Sequence, residues 1–157
     1  VKEVRTMLFS MRPMALETHG LAAALEQYAE RFQQTNNIDV HVDTMELTAR
    51  PVAPVEAAIF FILEEAITNA KKHAAPQNIW VSLGNANGEV VAQVRDDGQG
   101  FNVADVEGSY EERSSLGLIN MRERARLING TLTIESKPSQ GTVVTLVAPL
   151  TGEEEVP

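Results

Sequence analysis

The stretch EVVAQVRDDGQGF, residues 89–101, joins a strand pattern to a motif of two acids and two glycines. Apolar residues alternate with polar ones as far as Asp96, which is typical of a half-buried strand. Asp97, Gly98 and Gly100 then follow. Because Asp and Gly tolerate the backbone angles of a tight turn, the motif alone fits an ordinary turn as well as a loop that binds a ligand.

The composition limits the class of protein. The 157 residues suffice for one domain of ordinary size with its own core. The sequence contains no cysteine, which excludes disulfides, thiolate metal sites and thiol catalysis and is compatible with a reducing cytosol. Its 13 basic and 22 acidic residues give a net charge of −9, which disfavours contact with a nucleic-acid backbone. We therefore expect a cytoplasmic protein with no nucleic-acid partner.

The sequence has no membrane-spanning or secretory pattern. No apolar run approaches the roughly 18 residues that a spanning helix needs, and no signal-peptide pattern opens the chain. Helical periodicity is already under way at Val1, so we expect a fragment of a longer protein. We expect no direct membrane contact from this fragment, even if the full-length protein is membrane-anchored.

The other patterns alternate between helix and strand. A first helical pattern is interrupted at Pro13 and then resumes, a strong one covers residues 55–74 until Pro76 stops it, and a last one covers residues 116–128. Five segments have strand patterns: residues 38–42, 78–83, 89–95, 131–136 and 142–149. This order predicts an α+β fold, a two-layer sandwich in which helices cover one face of a mixed sheet.

The helix predicted over residues 55–74 has two faces. One apolar stripe is expected to bury against the sheet: Ile59, Leu63, Ala66, Ile67 and Ala70. Glu65, Asn69 and Lys72 share a different stripe by their i, i+4 and i, i+3 spacing. On an isolated helix this polar stripe is more typical of a solvated face. It also suits a metal-phosphate group, because Mg²⁺ prefers oxygen ligands and a lysine meets phosphate as a point charge.

The last predicted helix begins in SSLGLINMRER, residues 114–124. Ser114, Ser115 and Gly117 fall where the preceding loop is expected to enter the helix, so unpaired backbone amides would face outward there. Such a helix start binds anions, although a serine that only caps the helix explains the pattern equally well. The acidic segment before it, residues 102–114, lacks periodicity and is predicted to be a mobile loop.

Four segments follow one another along the chain: EEAITNAKKH (64–73), DDGQGF (96–101), SSLGLINMRERA (114–125) and QGTVVTLVAP (140–149). In this order they resemble the N, G1, G2 and G3 boxes of the ATP-binding domain shared by sensor histidine kinases, gyrase, Hsp90 and MutL. Residues 118–142 are especially similar to the nitrate-sensor and lipid-fluidity-sensor (NarL-partner) subfamily of two-component histidine kinases. The resemblance covers about residues 1–150 and implies the Bergerat ATP-binding fold.

At the adenine end, the resemblance implies a role for each matching residue. Asp96 matches the acid that accepts a hydrogen bond from the adenine amino group, and Asp97 is expected to face away from the base. Gly98 and Gly100 would let the backbone approach the nucleotide. Thr142 matches the turn beneath the adenine. A carboxylate only accepts hydrogen bonds, so Asp96 favours adenine over guanine, which presents a carbonyl.

At the phosphate end, the resemblance implies three candidate catalytic residues. Asn69 matches the amide that binds Mg²⁺, Lys72 a basic position that helps to hold the phosphates, and Glu65 the position of the general base in gyrase-type ATPases. His73 belongs to the same box and is expected beside the phosphates. The G2 phosphate cradle corresponds to Ser115, which replaces the usual first glycine, and to Leu116, Gly117 and Leu118.

The resemblance also divides the chain and implies its activity. Residues 1–34 correspond to the closing part of the dimerisation helices, residues 35–150 to the ATP-binding domain and residues 151–157 to a frayed tail. Such a kinase donates the γ-phosphoryl group of Mg·ATP to a histidine on the dimerisation helices of its own dimer, and it serves a response regulator. In the subfamily an acid follows that histidine, whereas no histidine here has this neighbour. We therefore expect ATP binding without autophosphorylation by this fragment alone.

Two other functions stay open. One is an ATPase of the same fold, in which Glu65 activates a water molecule in place of a histidine. The other is a non-catalytic dimerisation module, which would pair through the apolar stripe Val1, Val4, Leu8 and Met11.

Overall fold

A computed structural model describes residues 14–101 and 112–153. The described ranges contain three helices and five strands: α1 Met14–Asn36, β1 Asp39–Glu46, α2 Ala53–Asn69, β2 Asn78–Ala86, β3 Glu89–Asp96, α3 Glu112–Leu127, β4 Thr131–Ser136 and β5 Thr142–Pro149. A π-helical turn, Ala70–Ala74, continues α2. The apolar stripe near the N-terminus, the break at Pro13 and most of the predicted loop lie outside the described residues.

The five strands form one mixed sheet in the order β1-β2-β3-β5-β4. β1 and β2 are parallel, and the other three pairs are antiparallel. β2 and β3 form a hairpin around Asn87-Gly88, whose φ angles are 55° and 79°. Asn-Gly suits this turn because both of its central residues need positive φ. The five predicted strands are confirmed, although β1 and β2 extend further toward their C-terminal ends than predicted.

The core lies between one face of the sheet and the helices. α2 is buried around most of its circumference, and Val55, Ile59 and Ile67 have no exposed surface. The predicted apolar stripe of this helix is buried throughout. α1 and α3 both pack against α2. The two-layer α+β fold is therefore confirmed. Within the described ranges, none of the helices is both long enough and apolar enough to cross a membrane.

α1 is interrupted at Gly20, whose backbone is not helical (φ 87°, ψ −179°). Glycine adopts this conformation without the steric cost that a side chain would bring. Beyond the interruption, five residues of α1 belong to the buried core: Leu21, Ala24, Leu25, Ala29 and Phe32. The division proposed at residue 34 remains a prediction, but the packing is continuous across it.

A buried carboxylate and an arginine bridge the interruption of α1. Glu56, which is only 3% exposed, accepts a hydrogen bond from the amide of Leu21 at its Oε2 (3.1 Å) and from Nε of Arg50 at its Oε1 (3.2 Å). The Arg50 guanidinium also donates to the carbonyl oxygens of Leu16 and Glu17, both at 3.3 Å. Since an interrupted helix leaves backbone groups unpaired, these side chains supply the missing partners.

α3 begins at Glu112 and not at Leu116. The predicted position of Ser115 and Gly117, at the junction between loop and helix, is therefore wrong, since both lie inside the helix. The residues between 112 and 116 include no glycine or proline that would oppose a helix, so local sequence allows the earlier start. The first turn of this helix, whose amides have no acceptor within the helix itself, consequently lies before Gly117.

Candidate functional site

A cavity of about 150 Å³ lies between α2, α3 and the sheet. It brings together five of the predicted site residues, which are far apart in the sequence: Asn69, His73, Asp96, Leu118 and Thr142. The other lining residues are all apolar: Ala66, Ala70, Ala74, Val94, Phe101, Met121, Ile134 and Val144. Apolar walls with a few polar groups are typical of a pocket for a small organic ligand.

Asp96, the last residue of β3, is the buried carboxylate of this cavity. It is 6% exposed, and its Oδ1 accepts a hydrogen bond from the amide of Gly98 at 2.8 Å. Burial raises the pKa of Asp96 and the nearby Asp97 charge adds to this, whereas the Gly98 amide opposes it. Among the described residues, no buried side-chain oxygen or nitrogen lacks a partner. The other oxygen, Oδ2, has no hydrogen-bond partner among the described residues, and because Asp96 lines the cavity this oxygen can accept a hydrogen bond from a ligand there.

The neighbouring Asp97 does not line the cavity. Its Oδ1 accepts hydrogen bonds from the amides of Gln77 and Asn78, both at 2.9 Å, and its Oδ2 accepts one from Asn78 Nδ2 at 3.0 Å. The hydrogen bonds from the Asn78 side chain and from these backbone amides hold the pKa of Asp97 below its ordinary value. The two adjacent acids thus differ in role: Asp97 anchors the start of β2, whereas Asp96 is available to a ligand.

Gly98 and Gly100 let the loop after β3 pack closely against the backbone of Ala74 and Lys137. A Cβ atom on Gly98 would overlap the carbonyl oxygen of Ala74, and one on Gly100 (φ 67°) would overlap the carbonyl oxygen of Lys137. The amide of Gln99 also donates to the Ala74 carbonyl at 2.8 Å. The loop therefore supplies a hydrogen-bond partner for the C-terminal end of the π-helical turn Ala70–Ala74, which continues α2. The close approach of these glycines to a nucleotide remains a prediction.

The last turn of the α2 segment is π-helical, which the sequence pattern did not predict. It covers Ala70–Ala74, and Ala75, with φ 47°, ends it just before Pro76. The predicted stop at Pro76 is confirmed. A π-helical turn holds more residues than an α-helical turn, so the stripe expected from α-helical spacing does not continue to Lys72. Lys72 is exposed and does not line the cavity, whereas His73 does.

Glu65, Asn69 and Gly117 meet where α3 contacts α2. A Cβ on Gly117 would lie 2.6 Å from Glu65 Oε1 and 3.2 Å from Asn69 Nδ2. A carboxylate and an amide side by side offer oxygen ligands to Mg²⁺, which usually keeps water or phosphate oxygens in its other positions. Over residues 14–101 and 112–153, no group of three or more His, Cys, Asp or Glu residues is arranged to hold a metal. Glu65 and Asn69 therefore fit only part of a Mg²⁺ coordination shell.

A second carboxylate, Glu64, lies beside Glu65 and was missed as a candidate. Burial raises the pKa of Glu64, the Glu65 charge adds to this, and the Arg124 charge opposes it. Burial also raises the pKa of Tyr28, which is hydrogen-bonded to Thr68 of the same helix. The pair of glutamates was visible in the sequence, but their shared environment depends on the packing of α1 and α3.

The predicted phosphate cradle is only partly described. Leu118 is buried and lines the cavity, whereas Leu116 is 54% exposed. Gly117 is buried against α2, and Ser115 lies within α3.

Residues 55–152 match the family model described as histidine kinase-, DNA gyrase B-, and HSP90-like ATPase. The chain is 44% identical over 151 residues to an uncharacterized sensor-like histidine kinase of Chloroflexus aurantiacus, an alignment that covers 94% of this chain and 25% of the relative. It is 34% identical over 151 residues to the oxygen sensor histidine kinase NreB of Staphylococcus carnosus, covering 96% of this chain and 42% of NreB. The chain thus spans less than half of either relative.

A solved structure has the same fold. The histidine kinase domain of the blue-light activated histidine kinase from Erythrobacter litoralis EL346 superposes with a TM-score of 0.68 at 22% identity, over 83% of this chain and 61% of that chain.

Proposed function

Because the chain belongs to the family of histidine kinase-, DNA gyrase B- and HSP90-like ATPases, we propose that its cavity binds Mg·ATP and that it donates the γ-phosphoryl group to a histidine of a two-component sensor kinase. The observation that best supports this proposal is Asp96, a buried carboxylate in the cavity wall whose Oδ2 has no hydrogen-bond partner among the described residues.

Asp96 accounts for the choice of base. Its open Oδ2 accepts a hydrogen bond from the exocyclic amine of adenine, whereas guanine would place a carbonyl oxygen there and leave the carboxylate unpaired. An unpaired buried group costs on the order of 1–3 kcal/mol, which corresponds to roughly tenfold to a hundredfold in affinity. The test is a titration with non-hydrolysable analogues of ATP and GTP. Clear preference for the ATP analogue is expected, and equal affinities would contradict the proposal.

The phosphate end is assigned to the contact between α2 and α3. Asn69 would hold Mg²⁺ through its amide oxygen, and Lys72 and His73 lie on the turn that continues the same helix. When bound, Mg²⁺ offsets negative charge on the phosphates during transfer. Glu65 contacts the same glycine as Asn69 and is the candidate base. The chain therefore contributes mainly orientation and charge neutralisation.

The attacking histidine is proposed to come from the dimerisation helices of the same kinase dimer, and the phosphoryl group would serve a response regulator of the NarL type. None of His19, His41 and His73 is followed by an acid. We expect the isolated chain to incorporate no label from γ-labelled ATP, and we expect label on a histidine-bearing helix pair added in trans. Label on an acid-labile, base-stable residue of the chain alone would overturn this assignment. A cytoplasmic location belongs to the same proposal.

A second candidate function is ATP hydrolysis, which the half-buried Glu65 beside Asn69 favours. In that case Glu65 activates water directly, and Glu65→Gln abolishes a substantial ATPase rate. A rate that is negligible in the wild-type chain would leave histidine phosphorylation as the proposed reaction.

A further inference from the structure

Two Asn-Gly pairs, residues 87–88 and 129–130, lie in turns of the described chain. In this dipeptide the backbone nitrogen of glycine can attack Cγ of the asparagine side chain, because glycine has no Cβ to hinder the approach. Both asparagines are exposed, and both have positive φ, 55° for Asn87 and 57° for Asn129. Exposure and local backbone therefore do not distinguish the two pairs, whereas their hydrogen bonds do.

The pair Asn129-Gly130 is hydrogen-bonded at both groups that would react. The amide of Gly130 donates to the carbonyl oxygen of Ala125 at 2.8 Å. Nδ2 of Asn129 donates to the carbonyl oxygen of Gly152, also at 2.8 Å. The glycine nitrogen must lose its proton and move to the asparagine side chain before a bond forms between them. Both hydrogen bonds must therefore break first.

The pair Asn87-Gly88, at the tip of the β2–β3 hairpin, has neither restraint. Over residues 14–101 and 112–153, no partner accepts a hydrogen bond from the Gly88 amide or pairs with the Asn87 side chain. The amide of Leu150 donates to the carbonyl oxygen of Gly88 at 2.9 Å. That oxygen belongs to the peptide unit after Gly88, whereas the reaction takes place at the unit before it. Ring closure at this pair therefore breaks no hydrogen bond of the fold.

We propose that Asn87 is a site of spontaneous deamidation and that the fold protects Asn129 from the same reaction. The nitrogen of Gly88 forms a bond to Cγ of Asn87, the bond from Cγ to Nδ2 breaks, and the amide proton leaves with the side-chain nitrogen as ammonia. The product is a succinimide ring. Water then adds to one of the two ring carbonyls and opens the ring, which gives aspartate or isoaspartate at position 87. The reaction is independent of the proposed ATP binding.

The two products differ in their effect on the hairpin. Both add a carboxylate beside Glu89. Aspartate keeps the backbone length and tolerates the turn, since Asp-Gly suits the same turn type as Asn-Gly. Isoaspartate adds a carbon atom to the backbone between Ala86 and Glu89, which are paired across the hairpin. We therefore expect the isoaspartate form to be less stable than the aspartate form.

The test is peptide mapping by mass spectrometry after the 157-residue chain has been kept folded in mildly alkaline buffer. Deamidation at Asn87 is expected to be at least about fivefold faster than at Asn129, because two hydrogen bonds protect Asn129 and each slows the reaction about twofold or more. The same buffer with urea provides the unfolded control. There the two rates are expected to become similar, since the reacting dipeptides are identical.

Two variants complete the test. Asn87→Gln, whose longer side chain must close a larger ring, is expected to lose the reaction at position 87 and to keep the wild-type rate at Asn129. Asn87→Asp carries the charge of the product without the added backbone carbon, so thermal unfolding is expected to rank it above the isoaspartate form separated by ion exchange.

Equal rates at the two asparagines of the folded chain, or a faster rate at Asn129, overturn the proposal. So does an Asn87 that stays intact in the folded chain while it reacts in urea. Since no nucleotide enters these measurements, their failure leaves the proposed ATP binding intact, and a chain that binds no nucleotide leaves the assignment of Asn87 intact.

Discussion

Replacing Glu56 by alanine tests whether a buried carboxylate holds the interrupted helix α1 against α2. The amide of Leu21 would lose its acceptor, and a hydrogen bond to a charged group contributes about 1.5–3 kcal/mol. The pair with Arg50 contributes less, about 0–1 kcal/mol, because the Arg50 side chain is 57% exposed. Together these losses predict a decrease of about 1.5–4 kcal/mol in the free energy of unfolding.

Urea unfolding followed by circular dichroism measures this loss. Two matched variants separate its parts: Glu56→Gln keeps an acceptor oxygen for Leu21, and Arg50→Met removes the exposed partner of Glu56 together with the long hydrogen bonds of Arg50 to the carbonyl oxygens of Leu16 and Glu17. The expected order of destabilisation is Glu56→Ala, then Glu56→Gln, then Arg50→Met, with similar denaturant slopes if the same surface is exposed. A Glu56→Ala variant within about 0.5 kcal/mol of the wild type, the range of ordinary surface substitutions, would refute the reasoning. So would an Arg50→Met variant that is equally destabilised.

Two further predictions concern glycines and pH. Gly98→Ala is expected to destabilise the fold by about 1–3 kcal/mol because its Cβ would overlap backbone atoms of Ala74. The Cβ of Gly117→Ala would meet only the ends of the Glu65 and Asn69 side chains, which can move, and this variant should cost less than about 1 kcal/mol. Thermal unfolding compares them, and equal losses would contradict this account. The lowered pKa of Asp97 means that its contribution to stability is complete above the ordinary aspartate pKa and is lost as the pH falls through the lowered value. The free energy of unfolding of Asp97→Asn should therefore fall less steeply than that of the wild type as the pH is lowered, which urea unfolding at several pH values measures. The same dependence on pH in both proteins would argue against this role of Asp97.

The strands and the main helix were predictable because their patterns are local. Alternation from Glu89 to Asp96 and from Thr142 to Pro149 matches β3 and β5. The Asn87-Gly88 pair marks a hairpin because few other residues tolerate two successive positive φ angles. The cavity residues were found through the order of four motifs, which is more specific than any single motif.

The missed features depend on tertiary contacts. Glu56 has the sequence appearance of an exposed acid in the first turn of a helix, yet the interruption at Gly20 brings an unpaired amide to it. The π-helical turn that carries Lys72 ends at Ala74, which packs against the loop at Gly98, 24 residues away in sequence. The periodicity of apolar residues predicts neither contact, since each contact joins segments that are distant along the chain.

The measurement that tests the central claim most directly is a calorimetric titration with a non-hydrolysable ATP analogue, with and without Mg²⁺. It compares the wild type with Asp96→Asn, and Asp97→Asn is the matched control because its carboxylate faces away from the cavity. We predict saturable binding that Mg²⁺ strengthens, a loss of about tenfold or more in Asp96→Asn and little change in Asp97→Asn. No binding to the wild type, or equal binding to Asp96→Asn, would contradict the assignment of the cavity as an adenine-nucleotide site.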